Sequence, residues 1–156
     1  MRKIFVSCLL VLLLTSCDIC STNENITPLW SDGMLTAECM NSTYTAQVHF
    51  EEGSLSFTLS EPEVLDGVVF KVNENSVVLL KDDISLEYDA NTINGFMSDF
   101  YKAYKALNGL RLEYTRQGEV LTAEFPPDDK KCRVKLDKKT KRVISLETAE
   151  CVYTID

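Results

Sequence analysis

The sequence predicts a mainly-β (α+β) domain, an antiparallel sheet with one helix packed on it. Three observations carry this. From Met34 to Ile155, apolar and polar residues alternate with the period of strands that have one dry and one wet face. The breaks between these segments, such as Glu51-Glu52-Gly53-Ser54 and Asn73-Glu74-Asn75-Ser76, are too short for crossover helices, so neighbouring strands run antiparallel. One segment alone, Ile93 to Leu107, changes to spacings of three and four, the helical period.

In chain order, Tyr44, Ala46, Val48 and Phe50 share one face, with Thr45, Gln47 and His49 on the other. Leu55, Phe57 and Leu59 resume the alternation after a turn, and Val68, Phe70 and Val72 make the next strand. Val77 to Leu80 is a continuous apolar run, the pattern of a strand covered on both faces, and Ile84, Leu86 and Tyr88 alternate again. Ile93, Phe96, Met97, Phe100, Tyr104 and Leu107 then form a helical stripe over Thr92 to Leu107. Asn91 or Thr92 is available to cap its start and Asn108-Gly109 to stop it. Lys102 and Lys105 fall in its last turns, where they suit the helix dipole. Afterwards Leu110, Leu112 and Tyr114 alternate, and Val120 to Phe125 runs back. Pro126-Pro127-Asp128-Asp129 is a break, and Cys132 to Leu136, Val143 to Leu146 and Cys151 to Ile155 complete nine or ten strands.

The amino terminus is organised differently. Arg2-Lys3 precede an apolar run from Ile4 to Leu14, and Thr15-Ser16 lead into Cys17. This resembles the signal peptide of a bacterial lipoprotein. The resemblance implies cleavage before Cys17, a diacylglyceryl thioether on its sulfur, and acylation of the new amino terminus by a chain such as palmitate. A membrane-spanning helix is excluded by length, since Ile4 to Ser16 falls short of the roughly 20 residues it needs. The chain divides accordingly into a signal peptide (1–16), a small, polar, flexible tether (17–33) carrying Trp30, and a folded domain (34–156). Trp30 is expected to dock on that domain. Asp18 directly after Cys17 resembles a signal that retains lipoproteins at the cell membrane, lipid-anchored on its extracytoplasmic face.

Without Arg2 and Lys3, 14 basic residues face 24 acidic ones, a net charge of −10. So acidic a body is repelled by phosphate backbones and anionic head groups, which excludes nucleic acid as a partner and leaves acyl chains to hold the membrane. Cys8 leaves with the signal and Cys17 is taken by lipid, so Cys17-Asp18-Ile19-Cys20 is no redox or zinc motif. Cys39, Cys132 and Cys151 lie in phase with apolar neighbours, which favours buried free thiols, with a structural disulfide as the alternative.

A family resemblance enters through Ser60-Glu61-Pro62-Glu63-Val64-Leu65-Asp66-Gly67-Val68-Val69-Phe70, a proline, a spacer, Leu-x-Gly and a strand. It continues in Cys132 to Asp137, a basic turn, and Arg142 to Glu147. In these segments the chain resembles the lipoprotein-carrier (LolA/LolB-like) superfamily, over Met34 to Asp156. The resemblance implies a strongly curved, incomplete barrel (a half-barrel) with the helix on its concave face, and a groove for a hydrophobic, lipid-like ligand. Clostridial lipoproteins of this fold, some acting in spore germination, imply a second possibility, an interaction module that engages another protein of the cell envelope.

Catalytic chemistry finds no pattern. His49 is the only histidine and lies in the polar phase of its strand, no Gly-x-Ser-x-Gly or Cys-His arrangement exists, and Asp82-Asp83 and Asp128-Asp129 are turn pairs rather than metal ligands. The chain therefore reads as non-enzymatic, without metal or cofactor. If it binds a ligand, the large apolar side chains in the dry phase are expected to meet it: Phe57, Phe70 and Leu86 on strands, Phe100 and Tyr104 on the helix.

Overall fold

Twelve strands hydrogen-bond side by side into one antiparallel sheet that does not close on itself. The computed structural model describes residues 20–22, 26–92, 95–126 and 131–156. The signal peptide, Cys17, Asp18, Ile93 and the Asp128-Asp129 turn lie outside them. The strands are β1 (Cys20–Thr22), β2 (Gly33–Cys39), β3 (Ser42–Glu51), β4 (Ser54–Glu61), β5 (Val69–Asn73), β6 (Ser76–Lys81), β7 (Ile84–Asp89), β8 (Tyr114–Gln117), β9 (Val120–Phe125), β10 (Cys132–Asp137), β11 (Val143–Glu147) and β12 (Cys151–Ile155). Their spatial order is β1-β8-β9-β10-β11-β12-β2-β3-β4-β5-β6-β7, the arrangement of an incomplete, curved barrel with edges at β1 and β7. Two sequential meanders, β2 to β7 and β8 to β12, are thus sewn together by one long-range seam between β12 and β2.

The one α-helix among the described residues, α1 (Phe96–Gly109), crosses from the β7 edge to β8 and lies on the inner face. Phe100, Ala103 and Leu107 are fully buried there with Phe57, Leu55, Val48, Leu35, Tyr153 and Leu146, because the dry phase of every central strand turns toward the helix. Phe100 meets Phe57 at 5.8 Å and Tyr153 at 5.0 Å, both edge to face. The helix begins after Gly95, with no side-chain cap, four residues later than the stripe suggests. Asn91 and Thr92 serve the preceding turn instead: the Asn91 N–H donates to an Asp89 carboxylate oxygen, and Thr92 donates to the Asp89 carbonyl.

Three further differences from expectation have physical causes. Cys39 and Cys151 stand directly opposite across the β12–β2 seam and are joined as a disulfide, so they are not free thiols; Cys132 is buried and lies outside this bridge. Leu110 and Leu112 lie outside any strand, since the helix exit leads straight to β8 at Tyr114. The folded body also reaches back into the expected tether. Cys20–Thr22 pairs with β8, Pro28 is buried, and Leu29 exchanges backbone hydrogen bonds with Lys141 and Val143. Trp30 docks, its Nε1 donating to Asn108 at 2.9 Å and its ring lying 5.0 Å from Tyr104.

Candidate ligand cleft

Register sets how deep each inner side chain sits. Phe57 on β4 opposes Phe70 on β5, which opposes Leu79 on β6, which opposes Leu86 on β7. Residues directly opposed in antiparallel strands share a face, so these four form one row across the inner surface. Phe57 is fully buried under α1, Phe70 and Leu79 are half-buried, and Leu86 is 44 % exposed. The helix covers the centre of the sheet and leaves the β5–β7 side of the row progressively bare.

Where this cover thins at the start of α1, a cleft of about 740 Å³ opens between helix and sheet. Its apolar wall is made by Tyr44, Leu59, Leu65, Phe70, Phe96 and Met97. Tyr44 stacks on Phe96 with ring centroids 4.4 Å apart. Leu65 is carried in by a 3₁₀ turn (Glu63–Leu65), after which Gly67 takes a left-handed φ of 75° that returns the chain to β5. The Cys39–Cys151 disulfide borders the cleft, and Asp99 and Glu150 place two carboxyl groups on its rim. Beneath it the Tyr153 hydroxyl is held in its neutral form, its pKa pushed well up mainly by burial, with Asp99 adding to the effect.

The five ligand-contact candidates are not brought to one place. Phe70 lines the cleft. Phe57 and Phe100 belong to the filled core, with no exposed surface. Leu86 shares Phe70's row but sits two strands away on the edge. Tyr104 packs at the other end of α1 in a cluster with Trp30 and Phe50. The wall residues absent from that set, Tyr44, Leu59, Leu65, Phe96 and Met97, carried a legible sign: Tyr44 and Leu59 lie in the dry phase of their strands, Phe96 and Met97 belong to the helical stripe, and Leu65 is the leucine of Leu-x-Gly.

A second cleft, about 470 Å³, runs along the other flank of α1 between Val72, Ala90, Tyr101, Ala106 and Pro126, with Lys102 and Lys105 at its mouth. Lys105 is paired with Glu74, and Tyr101 donates to the Gly53 carbonyl at 3.2 Å. His49, expected to be simply solvated, contacts the Asp32 carboxylate through Nδ1, while the other Asp32 oxygen accepts the Phe50 N–H at 2.9 Å. Those hydrogen bonds hold the Asp32 carboxyl below the usual carboxylate range. Among the described residues there is no group of three or more His, Cys, Asp or Glu placed to hold a metal, and no helix long and apolar enough to cross a membrane.

Compared with known proteins, the chain matches no family model, no curated protein and no solved structure. What it does has to be read from its own geometry.

Proposed function

We propose that the chain is a membrane-anchored extracytoplasmic lipoprotein that binds an apolar ligand in the cleft at the start of α1, without catalysing a reaction. The observation that carries this reading is the cleft wall itself: half-buried Tyr44, Phe70 and Met97 stand beside the fully buried Phe57 and Phe100. Its volume of about 740 Å³ falls inside the range of roughly 300–1,000 Å³ typical of small-molecule sites. Each methylene buried contributes about 0.8 kcal/mol, so affinity for the cleft should rise with the length of the apolar ligand. The lipoprotein-carrier resemblance supports the same ligand class. The anchor rests on the sequence around Cys17. Cys17 precedes β1 by three residues, and so short a stretch spans at most about 10 Å. An acylated Cys17 therefore keeps the β1 edge against the bilayer.

The test pairs two substitutions in the full chain, read by thermal melting and by binding of a neutral fluorescent acyl probe. Phe70→Asp puts a charge where it reaches water through the cleft, so the fold should persist and binding should be lost. Phe57→Asp puts it in the filled core and should unfold the domain, because removing a buried Phe side chain alone costs about 3–5 kcal/mol. Normal probe binding by a folded Phe70→Asp protein refutes the cleft. Cys17→Ala should release the protein from membranes, and continued retention refutes the anchor.

A further inference from the structure

We infer that β7 is a docking edge for an extended segment of a partner protein in which apolar and basic residues alternate. The two ends of the sheet are unequal. β1 has three residues, whereas β7 offers six, paired to β6 in unbroken register from Ile84 to Asp89, with no bulge. Sheet edges are usually protected by shortness, proline, lysine or a bulge. β7 has none of these, and among the described residues its outer backbone groups face no other strand. Its side chains sort by face. Ile84, Leu86 and Tyr88 lie on the inner face, 59 %, 44 % and 44 % exposed, and Leu86 and Tyr88 continue the apolar rows Phe70–Leu79 and Val72–Val77 of β5 and β6 beyond the helix. Ser85, Glu87 and Asp89 lie on the outer face, and Asp82-Asp83 form the adjoining turn.

An added strand has to satisfy both faces. Residues beside Leu86 are to be apolar, extending the row Phe57, Phe70, Leu79, Leu86 by one member. Residues beside Glu87 are to be basic, because Asp83, Glu87 and Asp89 make no ion pair among the described residues. The charges oppose a second copy of this chain in the registers that pair most of β7. Antiparallel self-pairing centred on Ser85, Leu86 or Glu87 sets Asp83 against Glu87, Asp83 against Asp89, or Glu87 against itself, and directly opposed like charges destabilise a strand pair. Strand addition of this kind uses main-chain hydrogen bonds for affinity and alternate side chains for specificity. The inference stands whether or not the cleft holds a ligand.

The experiment uses the full chain in mild detergent with the peptide Val-Lys-Val-Lys-Val-Lys-Val. Its comparators are the peptide with Glu in place of Lys, a peptide of the same composition with its lysines in one block, and a backbone-N-methylated copy. Hydrogen exchange should slow at the outward amides of residues 84–89 only with the alternating Lys peptide, and the N-methylated copy should not bind. Glu87→Lys, a change at an exposed side chain, should weaken the Lys peptide about tenfold and admit the Glu peptide. Binding that ignores alternation or Glu87, or that leaves the β7 amides unprotected, overturns the inference. So does a chain that dimerises through β7 by itself.

Discussion

The hydroxyl of Tyr153 donates a 2.7 Å hydrogen bond to the carbonyl oxygen of Phe96, tying the first residue of α1 to the strand that closes the sheet seam. Both residues are buried, and Phe96 also walls the cleft, so this bond adds to core packing in setting the height of the helix over the sheet. Tyr153→Phe keeps the ring packed against Phe100 and removes the hydroxyl with its bond to Phe96 and its contact with Thr148. It should lower stability by about 1 kcal/mol in urea unfolding, the usual worth of such a bond. No change in midpoint would mean that the helix is positioned by packing alone.

The Cys39–Cys151 bridge closes a loop across 112 residues of sequence and staples β2 to β12. Restricting so long a loop in the unfolded chain places the expected loss for Cys39→Ala/Cys151→Ala at about 2–4 kcal/mol. Chemical unfolding with and without reductant checks it: reductant should destabilise the wild type toward the double variant and leave the variant itself unmoved.

Much of this fold is legible in the residues, and the limits are instructive. Alternation assigns Leu35, Ala46, Val48, Leu55, Phe57 and Val134 to the buried face because each strand contributes one dry side whatever its neighbours are. Alternation says nothing about where a strand lies in the sheet. Phe57 and Phe70 have the same phase and are opposed in register, yet one is sealed and the other lines a cleft, since only strand order decides how much helix lies above each. The disulfide escapes for a related reason: Cys39 and Cys151 meet only through the β12–β2 seam, which no local pattern announces. The docked stretch from Ile26 to Asp32 lacks periodicity because single contacts hold it, the Leu29 bridge and the Trp30 and Asp32 hydrogen bonds.

Stability should fall at both ends of the pH scale, for opposite reasons. Asp32 and Asp137 accept backbone N–H bonds that hold their carboxyls below the ordinary value of 3.8. Their contribution is complete above about pH 3.8, where the unfolded groups are ionised, and is lost as pH falls through the lower folded values. At the other end, burial pushes Tyr114 up to about 12 and raises Tyr101 and Tyr153 as well, from an ordinary 10.0. The unfolded chain then releases protons first, so stability should decline as pH rises above about 10. Urea midpoints across both ranges check this. Asp32→Asn should flatten part of the acid limb and Tyr114→Phe part of the alkaline limb.

Gly33 opens β2 where the backbone of residue 156 passes closest. Met34 and Asp156 exchange two hydrogen bonds there, and a β-carbon on residue 33 would overlap the Asp156 carbonyl. Gly33→Ala should push the end of β12 away and cost about 1–3 kcal/mol, as overpacking generally does. Faster hydrogen exchange at Met34 and Asp156 is the local signature. Unchanged exchange would show that the strand end yields freely.

The seam between β12 and β2 also imposes an order in time. β2 is among the first strands to leave the ribosome or a translocation channel, but its partner on one side is the last of the twelve to be made. Until then the meander from β2 to β7 is half a sheet with an exposed inner face, the state in which edge pairing and aggregation are most dangerous. A chain caught in this half-made form depends on quick delivery of β12 or on a companion that shields it while it waits.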